Sequence, residues 1–150
     1  MTTYFVDTSA MVKRYVNEPG SAWVLSWIEQ VTGNVIVVSE LTIVEVVSAL
    51  ARRRRDKTLD ADVVISVQND FLAHMEDEYV VVVLESKIVT KARQLVVQYP
   101  LRTLDAVQLA CAIDSTTLFD EPVIFICADL NLIRAAAAEG FATDNPNLHP

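Results

Sequence analysis

The chain predicts a single α/β domain with a mainly parallel central sheet and helices on both faces. Three observations lead there. Short β-branched runs alternate with longer stretches of helical periodicity along all 150 residues. Residues 35–38 are entirely β-branched, as strands buried on both faces are. No linker, repeat or low-complexity segment interrupts the alternation, so residues 1–150 read as one unit of ordinary domain length. A chain of this size buries roughly 70% of its unfolded surface and needs no disulfide or structural metal to fold.

Each element has a local reason. Residues 4–6 form a first apolar strand, and 9–16 a helix ended by Asn17-Glu18-Pro19-Gly20. A second helix, 21–30, stops at Thr32-Gly33-Asn34. Strand 35–38 follows, and Ser39 caps a helix to about Arg54. Asp60 opens a helix to about Glu78, and the apolar run 79–84 is a third strand. Ser86 caps a helix to about Gln98, which Tyr99-Pro100 breaks. Thr103 caps the next, through Ala112 and beyond. Glu121-Pro122 precedes a strand at 123–127. The helix 130–139 ends at Gly140, and 141–143 form a last short strand.

Composition excludes several functions. Twelve Lys and Arg against 20 Asp and Glu leave a charge of −8, too acidic to hold nucleic acid by bulk positive charge. A nuclease whose phosphate contacts run through metal ions stays open. A hydrophobic fraction of 52% excludes a disordered chain. Gly20, Gly33 and Gly140 stand too far apart to build a phosphate-binding loop. Cys111 and Cys127 lie in apolar runs and read as core thiols of a reducing compartment. Asp7 falls too early for a signal peptide, and no apolar stretch approaches the roughly 18 residues of a membrane span. A cytoplasmic protein is expected.

Ligands of parallel α/β sheets bind beyond the carboxyl ends of the strands. Asp7 directly follows the first strand, and Asp129 comes two residues after Cys127 at the end of the fourth. Glu45 lies in the second turn of the helix after 35–38, and Asp105 in the first turn of the helix beginning at Thr103. Singly, each Asp has a plain use. Asp7 and Asp129 can cap helices, and Asp105 can complement a helix dipole. Glu45 is different, because it stands among Ile43, Val44, Val46 and Val47, where a carboxylate is costly unless paired or metal-bound. Four carboxylates on one rim raise one another's pKa and stay ionised together only with a compensating cation. Oxygen ligands suit Mg²⁺ or Mn²⁺. His74 and His149 are badly placed for zinc and read as solvated bystanders. A tetra-acidic magnesium site on an α/β sheet suits phosphodiester hydrolysis.

The segments carrying these acids resemble, in order, the motifs of the PIN domain. They are Tyr4-Phe5-Val6-Asp7-Thr8-Ser9-Ala10, Thr42-Ile43-Val44-Glu45-Val46-Val47-Ser48-Ala49-Leu50, Leu101-Arg102-Thr103-Leu104-Asp105-Ala106-Val107-Gln108-Leu109-Ala110 and Asp129-Leu130-Asn131-Leu132. Ala135-Ala136 and Gly140 follow the last of them. The length is similar to that of VapC-type toxins of toxin–antitoxin pairs. The resemblance implies a Mg²⁺- or Mn²⁺-dependent endoribonuclease, a homodimer, and a cognate antitoxin that holds it inactive. It implies Asp7, Glu45, Asp105 and Asp129 as catalytic metal ligands, with Ser9 supporting the site. Asp7 and Asp105 are taken as the principal ligands, Glu45 as binding directly or through water, and Asp129 as serving a second position. Water as nucleophile would leave a 5′-phosphate and a 3′-hydroxyl. Where the family often carries Ser or Thr two residues before the fourth acid, this chain has Cys127.

Other features are weighed alongside. Arg52-Arg53-Arg54-Arg55 ends a helix, where cations complement the dipole and most are simply solvated. Arg52 lies seven residues after Glu45, two turns along the same face and roughly 10 Å away, within reach of an RNA phosphate. Trp23 and Trp27 read as core or interface, and Val64, Val67, Phe71 and Met75 as a largely buried helical stripe. Two alternatives of other classes remain. One is a phosphate-handling α/β module, although Ser9 stands where such a phosphatase wants its second Asp and no Lys follows 123–127 as in a receiver. The other is a catalytically silent scaffold that only binds a partner.

Overall fold

The computed structural model describes all 150 residues. Five strands, β1 (Thr3–Val6), β2 (Val35–Ser39), β3 (Val80–Val82), β4 (Val123–Ile126) and β5 (Ala142–Asp144), form one sheet in the order β3-β2-β1-β4-β5. Every pairing is parallel. The chain builds outward from β1 on one side and then on the other, so the strand order reverses between β1 and β4. A crevice opens at such a reversal, beyond the carboxyl ends of the strands.

Alternation along the strands loads both faces. Phe5, Val37, Phe125 and Cys127 point into a core covered by helices α5 (Ser86–Gln98), α6 (Thr103–Ser115) and α7 (Leu130–Ala138). Phe5 and Phe125 stack there with ring centroids 5.6 Å apart. Val6, Ile36, Val38 and Ile126 face a second core with α1 (Thr8–Tyr15), α2 (Ser21–Ile28), α3 (Leu41–Arg55) and α4 (Ala61–Asp77). Each fully buried side chain of this kind contributes about 1.5–3 kcal/mol. The α4 stripe packs as its spacing demands, with Val64, Phe71 and Met75 buried and Val67 half-buried. Trp27 is core against Tyr4. No helix is long and apolar enough to cross a membrane.

Helix beginnings depart from the sequence reading. Ser86 and Thr103 are first helical residues rather than caps, because the extended backbone of the cap falls one residue earlier, at Glu85 and Arg102. That shift sets Arg102 at the mouth of the crevice. Ser39 does accept a hydrogen bond from the backbone N–H of Leu41, although Glu40 holds the cap position. Helix α2 stops at Ile28, and a 3₁₀ turn takes up Gln30–Thr32.

The histidines are not solvated bystanders. His74 Nδ1 meets the Tyr15 hydroxyl at 2.7 Å, and burial holds its pKa below the usual range, with Arg14 adding to the effect. His149 stacks on Trp23 at 4.1 Å and meets Asp144 at 2.8 Å. Sequence spacing gave no hint of either partner, since both contacts cross between separate elements.

Candidate active site

A cavity of about 730 Å³ opens at the strand reversal, and Asp7, Glu45, Asp105 and Asp129 all line it. Asp7 ends β1 and caps α1, and Asp129 caps α7. The capping uses foreseen for both are therefore real, and the same residues also face the cavity. Glu45 comes from the second turn of α3 and Asp105 from the first turn of α6.

The protein fixes one oxygen of each carboxylate. Asp7 Oδ2 accepts from the Ser9 backbone N–H at 3.1 Å and from the Ser9 hydroxyl at 2.6 Å. Glu45 Oε1 accepts from the Thr8 hydroxyl at 2.9 Å and from Gln108 Nε2 at 2.7 Å. Asp129 Oδ1 accepts from the Leu132 N–H at 2.9 Å, and Asp105 Oδ2 from Arg102 Nε at 3.0 Å. The second oxygens of Asp7, Glu45 and Asp105 have no protein donor, and that of Asp129 meets only Arg102, at 3.7 Å. The sequence reading assigned Ser9 a supporting part, and its hydroxyl also accepts from the Ala128 N–H at 2.9 Å, tying the end of β1 to the end of β4.

Electrostatics follow from crowding. Burial pushes the Asp7 carboxyl up to about 6, the Ser9 hydrogen bonds oppose the rise, and the charges of Glu45 and Asp105 add to it. Cys127 lies against this carboxylate, its Sγ 3.5 Å from Asp7 Oδ2, and burial raises its thiol far above the ordinary range. The thiol stays protonated there, and both cysteines are free and buried. Arg102, itself 80% exposed, holds Asp105 and leans toward Asp129.

No group of three His, Cys, Asp or Glu side chains converges closely enough to hold a metal ion as the side chains stand. The donor set nevertheless fits a hard divalent cation. It consists of carboxylate oxygens only, three of the four acids keep an oxygen without a protein donor, and Asp7 is pushed toward neutrality by burial and by the charges of Glu45 and Asp105.

Cations line the cavity as well. Lys13 is buried, its Nζ donating to the Pro19 carbonyl at 2.8 Å and lying 3.4 Å from Glu18. Glu18 also pairs with Arg53. Arg52 lines the same cavity as the four acids and makes no ion pair. Arg54 and Arg55 lie on a separate depression between α3 and α4.

Sequence reasoning missed Gln108, Thr8, Thr42 and Arg102. One signal was present: Gln108 is the single polar side chain in the run 106–112, three residues beyond Asp105. The two threonines carry no such mark.

The PIN domain family model matches residues 4–117, a segment holding Asp7, Glu45 and Asp105, with Asp129 beyond its end. VapBC2 from Rickettsia felis, solved bound to a DNA fragment from its promoter, is similar with a TM-score of 0.65 and 13% identity, over 96% of this chain and 98% of that one. PAE2754 from Pyrobaculum aerophilum gives 0.67 and 19%, over 98% and 85%. A toxin–antitoxin complex from Klebsiella pneumoniae gives 0.61 and 16%, over 96% and 98%. At these identities the likeness establishes the fold. No curated protein matches the sequence. With three acids of the cavity inside a family match that spans most of the chain, the protein belongs to the PIN domain family.

Proposed function

We propose that this protein is a metal-dependent endoribonuclease that acts as the cytoplasmic toxin of a toxin–antitoxin pair. The observation that carries the reading is the set of four carboxylates around one cavity, each held by one oxygen. Asp7 and Asp105 would hold Mg²⁺ or Mn²⁺, with Glu45 binding directly or through water and Asp129 completing a second position. A divalent cation there would activate water and offset the charge of the phosphodiester. Ser9 would keep Asp7 turned toward the cavity. Arg52, two turns along α3 from Glu45, would take a flanking phosphate. Water attack would leave a 5′-phosphate and a 3′-hydroxyl.

The Rickettsia and Klebsiella relatives are toxin–antitoxin assemblies, which supports an antitoxin partner. The active form is proposed to be a homodimer. Membership of the PIN family weighs against the phosphatase and receiver readings.

The test is cleavage of cellular RNA by purified protein with Mg²⁺, with Mn²⁺ and with EDTA. Discrete fragments that need metal support the reading. Absence of cleavage, metal uptake and RNA binding would leave the silent scaffold.

Two variants test Arg52 and Arg102 separately. Arg52→Ala is expected to weaken RNA binding and to lower the slope of log K against log salt by about 0.7. Unchanged affinity in a filter-binding titration would reject that role. Arg102→Gln removes a cation that competes for Asp105 and Asp129. Because the pair is exposed, the effect is modest, about two- to fivefold tighter Mn²⁺ binding by calorimetry. Weaker binding would mean that Arg102 organises the acids instead.

A further inference from the structure

Gln108 is 1% exposed, in the middle of α6. Its Nε2 lies 2.7 Å from Glu45 Oε1, 3.0 Å from Thr42 Oγ1 and 3.1 Å from Thr8 Oγ1. One amide hydrogen serves the carboxylate, and the other is shared between the two threonine oxygens. The amide's orientation follows from Glu45, because turning Oε1 toward that carboxylate would set two acceptors face to face. The consequence is unfavourable for Gln108 itself. Its Oε1 is buried with no hydrogen-bond partner. An orphaned buried oxygen costs stability, which offsets part of what the three nitrogen contacts contribute. The amide is useful only for what its nitrogen holds.

We propose that Gln108 is a positioning residue for Glu45. By saturating Oε1 from below, together with the Thr8 hydroxyl from the side, it turns Oε2 into the cavity and fixes its direction. It also joins three elements that carry the acids: α6 through its own backbone one turn beyond Asp105, α3 through Thr42 and Glu45, and the start of α1 through Thr8 next to Asp7. The inference rests on the metal-nuclease reading, since Oε2 is positioned toward a cation. Donors that orient metal-binding side chains typically carry 10- to 100-fold of metal affinity or activity.

The test compares Gln108→Met with wild type. Met has nearly the same volume and adapts to irregular space, and the substitution removes the orphaned oxygen with the donor. The melting temperature is expected to change little or fall by a few degrees, because relief of the orphaned oxygen offsets only part of the donors lost to Glu45, Thr42 and Thr8. Mn²⁺ binding, measured by calorimetry without RNA, is expected to weaken about tenfold. On RNA, kcat is expected to fall about tenfold with KM unchanged, because Gln108 lies beneath the cavity and is not among the residues that line it. A residue serving packing alone would lower the melting temperature and leave the metal affinity as it was. The second arm is a double-mutant cycle. In a Glu45→Gln background, Gln108→Met is expected to have no further effect on Mn²⁺ affinity, because its influence passes through Glu45. An undiminished effect there overturns the proposal. Gln108→Leu repeats both arms should the Met variant not fold. Wild-type Mn²⁺ affinity and kcat in Gln108→Met overturn this inference alone, whereas a wild-type protein that neither takes up Mn²⁺ nor cuts RNA overturns the nuclease reading as well.

Discussion

Asp7→Asn is expected to abolish RNA cleavage while making the protein more stable in EDTA. Both effects have one cause. The Asp7 carboxyl is buried and its pKa stands at about 6 against an ordinary 3.8. Holding it ionised at pH 7 therefore costs about 3 kcal/mol. Asn has the same shape, and its Oδ1 still accepts from the Ser9 N–H and hydroxyl, but it carries no charge. For a domain of this size 1 kcal/mol corresponds to roughly 2–4 °C, so a rise of up to about 10 °C in melting temperature is the upper bound. Cleavage should fall by at least about 100-fold, since losing a ligand costs no less than losing a group that orients one.

The pH dependence has a defined sign. Between about 4 and 6 the folded protein holds a proton on Asp7 that the unfolded chain has released. Stability from this residue is therefore highest at or below pH 4 and declines as pH rises to 6. The Asn variant lacks that decline. Mn²⁺ should restore stability to the wild type far more than to Asp7→Asn, because a ligand that binds only the folded state stabilises it by mass action. Full activity in the variant, or a melting temperature below wild type at pH 7 in EDTA, would defeat the assignment.

The largest expected loss of stability is at Gly20. Its φ is +88°, and a Cβ there would collide with the carbonyl oxygen of Pro146. Gly20→Ala therefore combines a left-handed backbone cost of about 1–2 kcal/mol with an overpacking cost of about 1–3 kcal/mol. Gly140 has φ +99° but open space where its Cβ would stand. Gly140→Ala should lose the first amount only. The two variants, compared by urea denaturation, separate conformational strain from collision. Equal losses would show that the segment over Gly20 yields without cost.

Most of the fold was legible because its three central strands, β1, β2 and β4, are short, apolar and largely buried, leaving periodicity little room for error. Helix starts were less so. A serine or threonine at a boundary looks like a cap whether it stands before the helix, as Ser39 nearly does, or inside it, as Ser86 and Thr103 do. The acids were legible from strand ends, since topology alone sends Asp7 and Asp129 to one rim. What holds the acids was not. Thr8, Thr42 and Gln108 come from three elements and meet only after the chain folds, and a hydroxyl beside a carboxylate in space leaves no trace in spacing. The partners of His74 and His149 were hidden for the same reason.

The central place of β1 also sets an order of events during synthesis. Its first neighbour, β2, begins at residue 35, but the other edge waits for β4 at residue 123. At roughly 5–20 residues per second, a ribosome takes roughly 4–18 s to cross that interval. Throughout it, the Asp7 N–H lacks the Ile126 carbonyl and Ser9 lacks Ala128. The four acids cannot stand around one cavity until nearly the whole chain has emerged, so a partly made molecule carries the sequence of the site without its geometry.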